Sequence, residues 1–128
     1  MIRLTLPIPP GKNKTNRAGL NKAGRIARAG TLLKAEYCEF VRLATIAAGC
    51  YHVGMEGELM LHVWYWWPDE RTAHDVDASI NLLQDALAAA IGFNDRRVVD
   101  CLLHRRIQRG VLPHCEVVIE AIAEGGKK

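Results

Sequence analysis

Glu58-Leu59-Met60-Leu61-His62-Val63-Trp64-Tyr65-Trp66-Trp67 is followed by a polar break over residues 68–74, then by Asp75-Val76-Asp77, and then by apolar residues at Ile80, Leu83, Leu87 and Ile91 before Gly92. The first run is rich in β-branched and aromatic residues. It places Leu59, Leu61, Val63 and Tyr65 on one side and Met60, His62, Trp64 and Trp66 on the other, which predicts a strand with both faces covered. On that reading Trp64, Trp66 and Trp67 are packing residues rather than a platform for unpaired bases. Pro68 stops the strand. The spacing of three and four from Ile80 to Ile91 predicts a helix over residues 77–91, closed by Gly92. A strand, a short polar connection and a helix in this order form half of a unit in which helices pack on a sheet.

Working outward, residues 2–8 alternate as a short strand that Pro9-Pro10-Gly11 ends. Residues 12–30 are basic and poor in apolar side chains, and they read as a loop. Leu32, Leu33, Tyr37, Phe40, Val41, Ala44 and Ala48 recur at helical spacing, so residues 31–48 are predicted to form an amphipathic helix closed by Gly49. Two runs remain, 97–108 and 115–123, joined through Gly110 and Pro113. They predict a terminal hairpin whose second strand, with Glu116 and Glu120 alternating against Val117, Ile119 and Ala121, reads as an edge strand. Residues 124–128 read as a disordered tail. The whole is one α+β domain of order β-α-β-α-β-β, a mixed sheet with two helices.

Composition limits the function classes. The chain has 128 residues, 49% of them hydrophobic, enough for one modest core. No apolar run approaches the roughly 20 residues that span a bilayer, and the N-terminus is too polar for a signal peptide, so a cytoplasmic protein with no membrane partner is expected. Cys38, Cys50, Cys101 and Cys115 show no C-x-x-C spacing and sit among apolar neighbours, which predicts buried free thiols.

The net charge of +3 conceals an asymmetry: Arg3, Lys12, Lys14, Arg17, Lys22, Arg25, Arg28 and Lys34 precede the first carboxylate, Glu36, so the remaining 94 residues carry −5. A basic arm on an acidic domain points to a polyanion, because each Lys or Arg placed on a phosphate releases condensed counterions.

The chemical signal is Asp75-x-Asp77 at a strand-to-helix junction, with Asp95 eighteen residues beyond Asp77. Carboxylates are the hard oxygen ligands Mg²⁺ prefers, and phosphodiester hydrolysis uses such a cation to activate water and stabilise developing charge. Alone, the pair is weak evidence, since an Asp before a helix also caps backbone N–H groups. His74, beside Asp75, is a candidate proton carrier. A straight helix of about 15 residues spans roughly 22 Å, so Asp95 reaches Asp77 only if the chain doubles back or a second subunit supplies it.

Four pieces in order carry a resemblance: Leu6-Pro7-Ile8-Pro9-Pro10-Gly11-Lys12-Asn13, Asp75-Val76-Asp77, Asp85-Ala86-Leu87, and Gly92-Phe93-Asn94-Asp95-Arg96-Arg97-Val98-Val99. Together they span nearly the whole chain, which resembles the RusA family of Holliday junction resolvases. The resemblance implies a bacterial or phage-encoded, homodimeric endodeoxyribonuclease dependent on Mg²⁺, with Mn²⁺ as a substitute. Such an enzyme acts in DNA recombination and repair by paired symmetric nicks in branched DNA. It implies that Asp75, Asp77 and Asp95 bind the metal and are catalytic, and that Lys12, Asn13, Lys14, Arg17, Lys22, Arg25 and Arg28 contact DNA.

One departure stands out: the family's Lys one helical turn after the second aspartate is here Asn81, and the Asn that follows that aspartate is here Ala78. Arg71, His74, Arg96 and Arg97 are the candidates to supply the missing cation. The rival readings are a branched-DNA-binding protein of the same fold that lost the chemistry, and a structural protein in which the aspartates only cap a helix.

Overall fold

The strand β2, Leu59–Trp67, has its odd-numbered residues buried and its even-numbered ones half exposed. It sits inside a four-stranded sheet of order β1-β4-β2-β3, where β1 is Ile2–Leu6, β3 is Val98–Ile107 and β4 is His114–Ala121. β4 pairs antiparallel with both β1 and β2, and β3 pairs parallel with β2. The computed structural model describes residues 1–10, 25–73 and 79–122. Within them the fold is α+β, a mixed sheet with two helices, in the order read from the sequence.

The sheet is covered on one face. Leu4 and Leu6 of β1, Leu61, Val63, Tyr65 and Trp67 of β2, and Cys115, Val117 and Ile119 of β4 share a core with helix residues. Helix α1, Arg25–Ala48, contributes Tyr37 and Val41; helix α2, Ile80–Leu87 with a π turn Ala88–Gly92, contributes Leu83, Ala86, Leu87, Ala90 and Ile91. The opposite face carries Met60, His62, Trp64 and Trp66 with no helix against it among the described residues.

Several expectations are therefore corrected. β3 and β4 form no hairpin: residues 108–113 cross the end of β2, where the Gln108 N–H donates to the Trp67 carbonyl at 2.9 Å. β4 is an inner strand, not an edge. Its alternation arises because Cys115, Val117 and Ile119 face the helices while Glu116 and Glu120 face the uncovered side. For the same reason only one face of β2 is covered, so of its tryptophans Trp67 alone belongs to the core while Trp64 and Trp66 are half exposed.

Within the described residues helix α1 already runs from Arg25, ahead of Thr31, so the basic segment is not a loop throughout. Arg and Ala favour helix enough to carry it across Gly30, a cost of about 1 kcal/mol. Helix α2 begins at Ile80, three residues later than expected, with Ser79 as its N-cap residue. All four cysteines are free, but only Cys50 and Cys115 are buried; Cys38 and Cys101 are exposed. The tail 124–128 lies outside the described residues.

Backbone groups at the helix ends are satisfied locally. The Gly49 N–H donates to Ile46 at 3.1 Å and the Cys50 N–H to Thr45 at 2.9 Å, the paired bonds of a Schellman cap with glycine in the left-handed region, φ +77°. A Cβ on Gly49 would meet nothing within 4 Å, so Gly49→Ala should cost only the backbone strain, about 1 kcal/mol, readable as a midpoint lower by roughly 4 °C in thermal denaturation. At the far end of α2, the Ala90 and Ile91 carbonyls accept from the His52 and Gly54 N–H groups, each at 2.8 Å. This docks the loop after α1 onto the end of α2 and lets Gly92, at φ +96°, turn the chain toward β3.

Tyr37 ties α1 to the sheet. Its buried hydroxyl donates to the Pro7 carbonyl at 2.8 Å, just beyond β1, and burial pushes its pKa upward. The neighbouring Cys115 thiol, which also donates to Pro7 at 3.6 Å, is pushed up to about 12 by the same desolvation and stays protonated at neutral pH.

Candidate active site

The end of β2 and the start of α2 frame the segment that carries the aspartate pair. After Pro68, the Asp69 carboxylate accepts from the Thr72 N–H at 2.9 Å and the Thr72 hydroxyl at 3.1 Å, a turn that holds its pKa below the usual carboxylate range. Arg71 is exposed at the tip of this turn. Asp75, Asp77 and His74 lie outside the described residues, as do Lys12, Asn13, Lys14, Arg17 and Lys22. Arg25 and Arg28 fall in the first turns of α1. Ser79, buried at the head of α2, makes no side-chain capping bond to the helix. Asn81 is exposed in the first turn of α2.

Asp95 opens a one-turn 3-10 helix, Asp95–Arg97, directly before β3. The capping is done by its neighbour: the Asn94 side-chain oxygen accepts from the Arg96 N–H at 2.9 Å, and the Arg97 N–H donates to the Asn94 carbonyl at 2.9 Å. The Asp95 carboxylate and the Arg96 and Arg97 guanidinium groups are consequently exposed, and none bonds or pairs with another described residue. Beside this turn is a shallow polar depression lined by Met55, Glu56, Phe93, Asn94 and Arg97.

The chain doubles back after Gly92. The Gln84 side-chain amide donates to the Asp95 carbonyl at 3.4 Å, so Asp95 lies alongside α2 rather than beyond its far end. From Gln84 to Ile80, the first residue of α2, is four residues, or roughly 6 Å along the helix axis. Asp95 therefore lies closer to the start of α2 than the full length of the helix would place it, while Asp77 itself lies outside the described residues.

No group of three or more His, Cys, Asp or Glu side chains is close enough to hold a metal among the described residues, which include only Asp95 of the three aspartates. One feature of the described residues escaped sequence reasoning: His62 and His104, forty-two positions apart, meet across β2 and β3. His62 stood on a legible face of β2, but its partner depends on strand order. No protein-family model matches the chain, and no curated protein matches it either. No described helix is long and apolar enough to cross a membrane.

Proposed function

We propose that this protein is a Mg²⁺-dependent endonuclease of the RusA type that cuts branched DNA such as the four-way junction. The observation that carries the reading is the Asn94-Asp95-Arg96-Arg97 turn: Asn94 takes the capping role, which leaves a carboxylate and two guanidinium groups side by side with no structural task among the described residues. A free carboxylate is a hard-cation ligand, and free arginines suit phosphate oxygens. Asp95 fits the metal in this respect, and Asp75 and Asp77 would complete the donor set from the segment preceding α2. When bound, Mg²⁺ supplies charge to the scissile phosphate and lowers the pKa of a water that can then act as nucleophile. Arg96 and Arg97 would hold the phosphate, Arg71 would reach it from the turn after β2, and His74 would carry a proton beside Asp75. Lys12, Asn13, Lys14, Arg17, Lys22, Arg25 and Arg28 would hold the arms of the junction by phosphate contacts, reading shape more than sequence. A homodimer would give two such sites and hence paired nicks.

The test is nicking of a synthetic immobile four-way junction against linear duplex, with and without Mg²⁺. Metal-dependent nicking of the junction in preference to duplex is the expected result. The second reading, a branched-DNA-binding protein without the chemistry, is favoured by the neutral, exposed Asn81. It is the answer if the junction binds tightly and neither Mg²⁺ nor Mn²⁺ yields nicks. No junction binding even at low salt would overturn both. Asn81→Lys is expected to raise the nicking rate by about tenfold or more, because it adds a cation at the head of α2, on the segment carrying the aspartates.

A further inference from the structure

The uncovered face of the sheet has its own chemistry. In register with Met60, Trp64 and Trp66 of β2, the adjoining β3 presents Asp100, His104 and Arg106, and β4 presents Glu120, Glu116 and His114. His62 and His104 are diagonal neighbours whose Nε2 atoms lie 2.7 Å apart, with ring centroids separated by 4.8 Å. The indole of Trp64 stacks on His62 at 3.8 Å and lies 5.8 Å from the His104 ring, fixing both imidazoles from one side.

At this separation one Nε2 carries a hydrogen and the other receives it, so both nitrogens face the space between the rings, and a cation can replace that hydrogen once the donor ring takes its Nδ1–H tautomer. A point shared by two imidazole nitrogens and a proton is also suited to a cation. Imidazole nitrogen binds Zn²⁺ at about 2.0–2.1 Å, which at angles between square and tetrahedral sets two such nitrogens roughly 3 Å apart. The pair therefore has to open by only a few tenths of an ångström, which rotation of the side chains supplies while the strand backbones stay in register. Glu120 and Asp100, flanking Met60 one step along the sheet, add negative field to the same face. Of the cations on this face, Arg3 shares the ladder row of His62 but stands two strands away, beyond Val118, and Arg106 lies two residues past His104 on β3.

We propose that His62 and His104 form a binding site for a divalent transition cation, Cu²⁺ or Zn²⁺, with water completing its coordination. The donor set selects against Mg²⁺, which prefers oxygen, so this site is separate from the aspartates and does not depend on the nuclease reading. Because β2 is the only sheet neighbour of β3 among the described residues, a cation here would cross-link the edge strand to the interior of the sheet.

The experiment is titration of the full chain with Cu²⁺ at pH 7.5, followed by tryptophan fluorescence, since Trp64 stacks on a ligand and should be quenched. Loss of even a hydrogen-bonded outer partner typically weakens metal binding 10–100-fold, so His62→Gln and His104→Gln should each weaken it by at least about tenfold. His114→Gln should leave it unchanged, and Zn²⁺ should compete. Equal affinity in the wild type and both pair variants would overturn the proposal, as would loss of binding in His114→Gln alone. Should either variant misfold by circular dichroism, the paramagnetic resonance spectrum of Cu²⁺ on the unsubstituted protein decides. Coupling to two imidazole nitrogens supports the site, and coupling to one or none overturns it.

Discussion

Asp77→Asn is expected to reduce Mg²⁺-dependent nicking of a four-way junction by at least about 100-fold, equivalent to roughly 2.7 kcal/mol of barrier, while junction binding in the absence of metal is kept. The substitution preserves shape and removes one negative charge. An amide oxygen is a poorer ligand for a hard cation, and the metal's charge is what stabilises the phosphate during attack. Asp95→Asn should behave the same way, because its carboxylate has no other described role and its loss should leave the fold intact. Asp85→Asn, on the exposed side of α2, serves as the control and should cut at the wild-type rate. Nicking assays under single-turnover conditions, with binding followed by gel shift, separate the two steps. Wild-type cutting by both Asp77→Asn and Asp95→Asn would remove the metal site from these residues. Loss of binding with loss of cutting would instead assign the carboxylates to folding.

The second large effect is on stability. Ile119→Ala is expected to cost about 3 kcal/mol, and Leu102→Ala less than about 1 kcal/mol, when urea denaturation midpoints are compared. Ile119 is 0% exposed in β4, paired with Ile2 of β1 on one side and Leu61 of β2 on the other. Its truncation leaves a void that neither neighbouring strand can collapse into without breaking the ladder. Leu102 is 45% exposed on β3, on the face that no described helix covers, and its truncation removes little buried area. The order would be reversed if β4 were the edge and β3 the interior of the sheet. Similar costs at both positions would mean that a partner or second copy covers the face that carries Leu102.

How far the sequence leads differs from element to element. The β-branched and aromatic run Leu59–Trp67 announced β2, and Ile80, Leu83, Leu87 and Ile91 announced α2, because propensity and spacing act at short range; that only one face of β2 is covered did not show in a run apolar on both sides. The left-handed glycines at 49 and 92 marked both helix ends for a reason equally local: only glycine adopts that conformation without cost. The aspartate pair and the basic N-terminal third were legible as chemistry, since charge and ligand type belong to the residues themselves.

Neighbour relations were not legible. Alternation in residues 114–121 says that one face is buried, not that the strand lies at an edge, and a six-residue connection suits a hairpin as well as a crossing over the end of β2. Which of Asn94 and Asp95 caps the turn, and hence which side chain stays free, depends on a single hydrogen bond that both residue types can make. The meeting of His62 with His104 depends on strand order and register together. The sequence by itself determined the existence and order of the elements and the chemical character of the aspartates and the basic arm. Only the tertiary structure decided strand order, the meeting of the paired histidines on the sheet face that no described helix covers, and the absence of a partner for the Asp95 carboxylate among the described residues, because these depend on contacts between residues far apart in the chain.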